Sequence, residues 1–151
     1  GLGDPVFDKL NAVLAHALMS IGAVKAVEVG DGIAVTSLKG STDNDGFTVK
    51  DGEIVKTSNH AGGIMGGISD GSEIIFRAAF KPTPSIAAPQ RTVNSRGEET
   101  ELEIKGRHDP IIVPRAVVVV EAMAAFTAAD MMLLNMGARV DKIREFYQKQ
   151  R

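Results

Sequence analysis

The sequence contains no cysteine, which removes disulfides, thiolate metal sites and a cysteine nucleophile together. It fits a reducing compartment, so a cytoplasmic location is the base expectation. A basic excess is also missing: the net charge is −2 and the pI is near 5.9. No sequence-wide field exists to hold a nucleic acid or an anionic membrane, and anionic ligands must be held by local charge. Ligand-spaced histidines are lacking as well. His16, His60 and His108 lie far apart, so no metal site is expected. The N-terminus has no basic flank leading into an apolar run, so no signal peptide is read. Nor does it begin with Met, and the opening Gly1-Leu2-Gly3-Asp4-Pro5 predicts a cut or truncated chain, or a processed start, which would look similar.

What is present is the profile of a soluble globular domain, 44% hydrophobic and 24% charged, read as a single domain. The stretch from Ala116 to Met136 is apolar enough to raise the question of a membrane span, but it carries Glu121 and Asp130. Such an acid near a helix centre costs roughly 2.5–3.5 kcal/mol on insertion, against about −0.3 to −0.6 kcal/mol for each large aliphatic residue. A helix buried in a soluble core is predicted instead.

Asp4 and Pro5 resemble an N-cap and first turn, and the periodic apolar residues that follow predict an amphipathic helix over 5–19. Val24 to Val29 predicts a strand, closed by Gly30-Asp31-Gly32. Residues 33–39 remain ambiguous between helix and strand. Residues 40–72 are rich in glycine and poor in apolar periodicity, so they are expected to form a long mobile loop. Within it Asp51-Gly52 is placed to turn a hairpin between Phe47–Lys50 and Glu53–Lys56. Strands are expected over 73–80 and 100–105, with Pro82, Pro84 and Pro89 excluding regular structure between them. Pro114 opens a helix to about Met136, with Gly137 as its cap, and 140–148 forms a polar helix. Three helices and at least four strands without regular alternation predict an α+β domain, with helices packed on antiparallel strands.

Three segments could carry chemistry. Gly62-Gly63-Ile64-Met65-Gly66-Gly67 would let backbone N–H groups approach a phosphate, although it matches neither the P-loop nor the dinucleotide fingerprint. Taken alone, the motif is explained better by glycines needed for a tight turn or helix packing. Lys81-Pro82-Thr83-Pro84-Ser85 sets a cation and two hydroxyls on a backbone stiffened by proline, which suits an anion, or is a solvated connection with a surface lysine. Gly106-Arg107-His108-Asp109-Pro110 places a guanidinium beside a carboxylate ahead of the long helix. There Arg107 can bind an anion and Asp109 can accept a proton, or Asp109 caps the helix and Arg107 is solvated. His16 is expected to be a hydrogen-bonded structural histidine, and His60 to be free to swing near a ligand.

Taken in order, Gly1–Asp8, Met19–Lys25, Asn59–Ser69, Lys81–Ile86, Gly106–Pro110 and Arg115-Ala116 leading to Glu121-Ala122-Met123 resemble the chorismate synthases over nearly the whole chain. The resemblance begins partway through the family's longer chains. It implies a partial β-α-β sandwich, a homotetramer, and an enzyme that eliminates phosphate from 5-enolpyruvylshikimate 3-phosphate in the trans sense to give chorismate. Reduced FMN is implied as cofactor, supplying electron density as phosphate leaves and receiving the ring proton at N5. Asp109 matches the aspartate that relays this proton. Gly22, Ala23, Gly66, Lys81, Pro82, Thr83, Pro84, Ser85 and Arg107 match positions that contact FMN. Gly22 stands where Asn or Pro is frequent, leaving only a backbone contact, and Pro84 replaces a common serine and its hydroxyl. Ile111 and Val118 replace a frequent cysteine and proline as changes of packing. The family's two active-site histidines, an arginine cluster and a serine segment fall outside the resembling stretch, and His16, His60 and His108 match other positions. The chain alone is therefore expected to be inactive, and a non-catalytic flavin-, phosphate- or assembly-binding module is the alternative reading.

Overall fold

In the computed structural model, which describes residues 1–149, the first helix sets the layout. Leu10, Leu14 and Leu18 recur at i, i+4, i+8 and so share one face of α1 (Leu10–Met19), where all three are buried. That face meets Ile64 and Met131, with Leu2, Val29, Ile74 and Ala124 packed around them. The predicted start of this helix at residue 5 is not found. Gly1 and Leu2 are tied to Ser69, the Ser69 N–H reaching the Leu2 carbonyl at 2.9 Å. Residues 4–8 then fold as a turn in which Phe7 adopts a left-handed φ of 59°. Tertiary pairing thus overrides the Asp4-Pro5 signal, and Lys9 takes the cap position without a side-chain bond.

Strand β1 (Val24–Val29) leaves α1 and pairs antiparallel with β6 (Phe76–Phe80), from Val24 opposite Phe80 to Val29 opposite Phe76, with a bulge between Val24 and Ala26. Strand β6 begins later than expected because Ile75 already bonds both ways in the glycine loop, accepting from the Gly30 N–H and donating to the Gly62 carbonyl. Gly30 and Gly62 have positive φ, and a Cβ on either would strike the other segment's backbone. Only glycine permits this backbone approach.

Residues 32–37 form a 3₁₀ helix (Gly32–Ser37), which resolves the ambiguous stretch. The 40–72 segment holds a one-turn helix α2 (Gly40–Asp43), the hairpin β2 (Phe47–Lys50) and β3 (Glu53–Lys56) at the expected positions, and a second hairpin of β4 (Ile64–Met65) and β5 (Ile68–Ser69). Beyond the prolines, β7 (Gln90–Val93) pairs with β8 (Glu99–Leu102), so regular structure resumes directly after Pro89. Strand β7 was not expected. The Asn94 side chain closes its turn by accepting from the N–H groups of Arg96 and Glu98.

Helix α3 (Val113–Met136) has Pro114 in its first turn and ends at Gly137, as the sequence predicts. A helix α4 (Val140–Gln148) follows. All four described sheets are two-stranded and antiparallel, and the α+β class holds. The expected burial of α3 does not. Only Thr127 and Met131 are buried, while Phe126, Met132, Leu133, Leu134 and Met136 are exposed. Its length and mean hydropathy of 1.9 would suffice to cross a membrane. The packing explains the discrepancy, since α3 rests on α1 through one side and no described element covers the other. Replacing Leu14 with alanine should lower stability by about 2–5 kcal/mol, read as an earlier midpoint in urea unfolding.

Candidate active site

Helix α1 ends with the Ser20 N–H bonding to the His16 and Ala17 carbonyls, and the chain turns through Gly22 and Ala23, the latter at a φ of 72°. The Ala23 carbonyl accepts the Lys81 N–H at 2.9 Å, adding a rung just past the β1–β6 ladder. The fold thereby seats the Gly22–Ala23 turn beside the start of Lys81–Ser85. Pro82 and Pro84 prevent this segment from continuing the ladder, and Gln90 donates weakly to the Pro84 carbonyl at 3.4 Å. The Thr83 hydroxyl is buried yet has no hydrogen-bond partner among the described residues. A buried hydroxyl left unpaired costs about 1–3 kcal/mol, a cost that any polar atom placed against it would remove.

Gly66 lies elsewhere. With Gly67 it turns the β4–β5 hairpin at φ values of 61° and 93°, and the Gly67 carbonyl accepts the Leu10 N–H at 2.7 Å. That pins Gly66 to the start of α1, whereas Ala23 and Lys81 sit past its end, about 14 Å away along the helix axis. The described residues do not bring these positions together.

Before α3, Arg107 is exposed and takes part in no ion pair among the described residues. His108 is half-buried, its Nε2 2.9 Å from the Ile104 carbonyl. Asp109 does not cap the helix, because Ile112 holds the cap position and no side chain bonds there. Instead Arg115 reaches both carboxylate oxygens of Asp109, at 2.9 Å and 3.4 Å. His16 is exposed in the cleft it shares with Asp130, with no side-chain hydrogen bond among the described residues, contrary to the structural role expected for it.

A second polar cluster was missed in the sequence. The Asp45 carboxylate accepts hydrogen bonds from the Ser58 hydroxyl at 2.7 Å and from the N–H groups of His60 at 2.8 Å and Ala61 at 3.0 Å. Burial pushes its pKa up, but the Ala61, Ser58 and His60 bonds and the Lys56 charge outweigh this and lower it to about 2. Lys56 is itself enclosed between Asp45 and Asp70. His60 is not free to swing, since its Nδ1 lies 2.6 Å from Asp31. The hydrogen bond to Asp31, opposed by desolvation and helped by the charges of Asp31, Asp45 and Asp43, raises the His60 pKa. The signal for this cluster was the spacing of Asp45, Lys56, His60 and Asp70 around a loop, which has no periodicity to reveal it. A concavity of about 680 Å³ lies between the end of α3 and α4 beside Met136, Ile143, Phe146 and Tyr147, away from every sequence-predicted site residue.

Comparison with known proteins decides the family. The profile described as chorismate synthase matches residues 1–133. The chain belongs to the chorismate synthase family. A chorismate synthase of Agathobacter rectalis is 64% identical over 149 residues, covering 99% of this chain and 41% of that protein. One from Archaeoglobus fulgidus is 58% identical over 136 residues, covering 89% of this chain and 38% of its own. A crystal structure of chorismate synthase superposes with a TM-score of 0.69 at 28% identity, over 99% of this chain and 38% of that one. The chain thus spans about two-fifths of the length of these chorismate synthases, and the family match takes in Ala23, Lys81–Ser85, Arg107 and Asp109 together.

Two pH effects follow from the polar cluster. The depressed Asp45 pKa contributes stability above its unfolded value near 3.8, and that contribution is lost as pH falls toward about 2. The raised His60 pKa contributes fully below 6.5 and is lost as pH rises through its folded value. Amide exchange at residues 58–61 is therefore expected to quicken in acid over the Asp45 window. Asp31→Asn should move the His60 titration, followed by NMR, down toward its ordinary value.

Proposed function

We propose that this chain is the flavin-binding part of a chorismate synthase, which eliminates phosphate from 5-enolpyruvylshikimate 3-phosphate to give chorismate. In that reaction one C–O bond to phosphate and one ring C–H bond break, and a second ring double bond forms. The proposed cofactor is reduced FMN, which when bound supplies electron density to the departing phosphate ester. The residues present suit it: the buried, unpartnered Thr83 hydroxyl offers a hydrogen bond, and Lys81 and Arg107 offer positive charge to an anionic group. Ser85 adds a hydroxyl, Pro82 and Pro84 stiffen the segment, the Gly22–Ala23 turn lies beside it, and Gly66, at the other end of α1, leaves the backbone approachable at a separate place. The Cβ of an alanine would meet nothing within 4 Å at Gly22 or Gly66. Asp109, half-exposed and not engaged as a cap, relays the proton lost from the ring to solvent. The complete protein is proposed to be a cytoplasmic homotetramer.

The observation carrying this reading is the single family match that spans both Lys81–Ser85 and Arg107–Asp109. The whole reaction needs groups outside this chain, so residues 1–151 alone should show no turnover in an anaerobic assay with reduced FMN. General acid and base groups each contribute about 10²–10⁴-fold. Turnover by the chain alone at the rate of a complete chorismate synthase would overturn that division of labour. In the full-length protein, Asp109→Asn should cut kcat by roughly 10²-fold or more with little change in FMN affinity. Lys81→Ala and Arg107→Ala should chiefly weaken FMN binding. If Asp109→Asn leaves kcat unchanged while flavin affinity collapses, the proton-accepting role is wrong.

A further inference from the structure

Arg115 occupies a place that helix electrostatics disfavours. It lies in the first turn of α3, where the unpaired N–H groups make the end of the helix partially positive and a cation is unfavourable. No side chain caps this end to compensate. The guanidinium instead turns back six residues to Asp109, with Nη1 2.9 Å from Oδ2 and Nη2 3.4 Å from Oδ1. The short contact and the longer one form a fork across both oxygens, a geometry that lysine cannot reproduce.

Among the described residues nothing else holds Asp109. No other described hydrogen bond reaches its carboxylate, and neighbouring His108 is committed to the Ile104 carbonyl. Without Arg115 the carboxylate is free to rotate on an irregular stretch between β8 and α3. With it, each oxygen uses one lone-pair direction on the guanidinium and keeps another free. The carboxyl side chain remains 34% exposed and Arg115 75% exposed, so the free directions are accessible to a proton donor. Such a pair adds little to global stability, because exposed ion pairs are screened by solvent and lose side-chain freedom in forming. Fixing the plane of a proton-accepting group matters much more for a reaction, where a misplacement of about 1 Å can cost ~10²-fold in rate.

We infer that Arg115 is a positioning residue, which clamps the Asp109 carboxylate in the orientation that relays the proton lost from the substrate ring. The inference rests on the catalytic reading of Asp109 given above. It is tested in the full-length protein with Arg115→Met, Arg115→Lys, Asp109→Asn and the Asp109→Asn/Arg115→Met double variant. Arg115→Met should lower kcat by about 10- to 100-fold while KM, FMN affinity and Tm stay near those of the parent. Arg115→Lys, which keeps the charge and loses the fork, should recover only part of that loss. In the Asp109→Asn background the Arg115→Met change should have almost no further effect, since nothing is left to position. In the flavin-free protein, the Arg115 guanidinium N–H resonance should be slow to exchange with solvent and lose that protection in Asp109→Asn.

Equal losses from Arg115→Met in both backgrounds would overturn the inference, as would a rise in KM without a fall in kcat, because Arg115 would then bind an anion directly. Full recovery by lysine would reduce its part to charge alone and overturn the clamp. If Asp109→Asn keeps full turnover, the reading of Asp109 fails and the role of Arg115 falls with it. If Asp109→Asn is impaired while Arg115→Met is not, only the Arg115 inference fails.

Discussion

The burial of three leucines on one face of α1 is the constraint on which the other elements depend. Leu10, Leu14 and Leu18 are the most thoroughly enclosed large side chains, and each neighbouring segment is fixed by reference to that helix. The β4–β5 turn bonds to its first N–H, the Ala23 turn leaves its end, β1 folds back along it and α3 lies against it. The positions matched to flavin contact inherit their separation from this arrangement. Ala23 and Lys81 belong to one end of a ten-residue rod and Gly66 to the other. The helix is thus a spacer as well as the nucleus of the core.

So small a core leaves much of the surface apolar. The accessible surface is 11355 Å² for a 16.0 kDa chain, against roughly 7,400 Å² for a compact monomer of that mass. Much of the difference lies on hairpin β2–β3, on α3 and on α4, where Phe47, Ile54, Phe126, Leu133 and Phe146 are exposed. Polar interactions do the fixing where apolar packing is thin. The loop from 45 to 61 has almost no buried hydrophobic residue, and it is held by Asp45, Lys56, Asp70 and the His60–Asp31 pair. Removing one partner from such an enclosed set leaves another charge unpaired, so these residues act as a unit.

Local signals in the sequence were legible wherever the chain's own chemistry decides the structure. Asp51-Gly52 turns its hairpin, Pro114 and Gly137 bound α3, and Val24–Val29 is a strand. They failed where a distant partner decides. Pairing of Gly1 and Leu2 with Ser69 prevents the helix that Asp4-Pro5 advertise, and Ile75 is taken by Gly30 and Gly62 before β6 can begin. The apolar run bounded by Pro114 and Gly137 predicted that α3 forms, but says nothing about what covers it. At the site, motif order identified the segments and the fold joined two of them, Ala23 and Lys81. The Arg115 fork was hidden because a six-residue separation across a helix start matches no periodic pattern, and the Asp45 cluster because its members are scattered round a loop.

The β2–β3 hairpin carries a lysine at the end of each strand, Lys50 beside the turn and Lys56 at the base. Lys50 is exposed, whereas the Lys56 side chain is only 8% exposed and is bound between two carboxylates. An amine needs a free lone pair to attack an acylating reagent, and a trypsin-like protease needs a cationic side chain that can leave its neighbours to enter the specificity pocket. Two chemically identical residues in one short ribbon are therefore unequal as substrates. Acylation and cleavage are directed to the tip, and the base is shielded for as long as the carboxylates keep their charge.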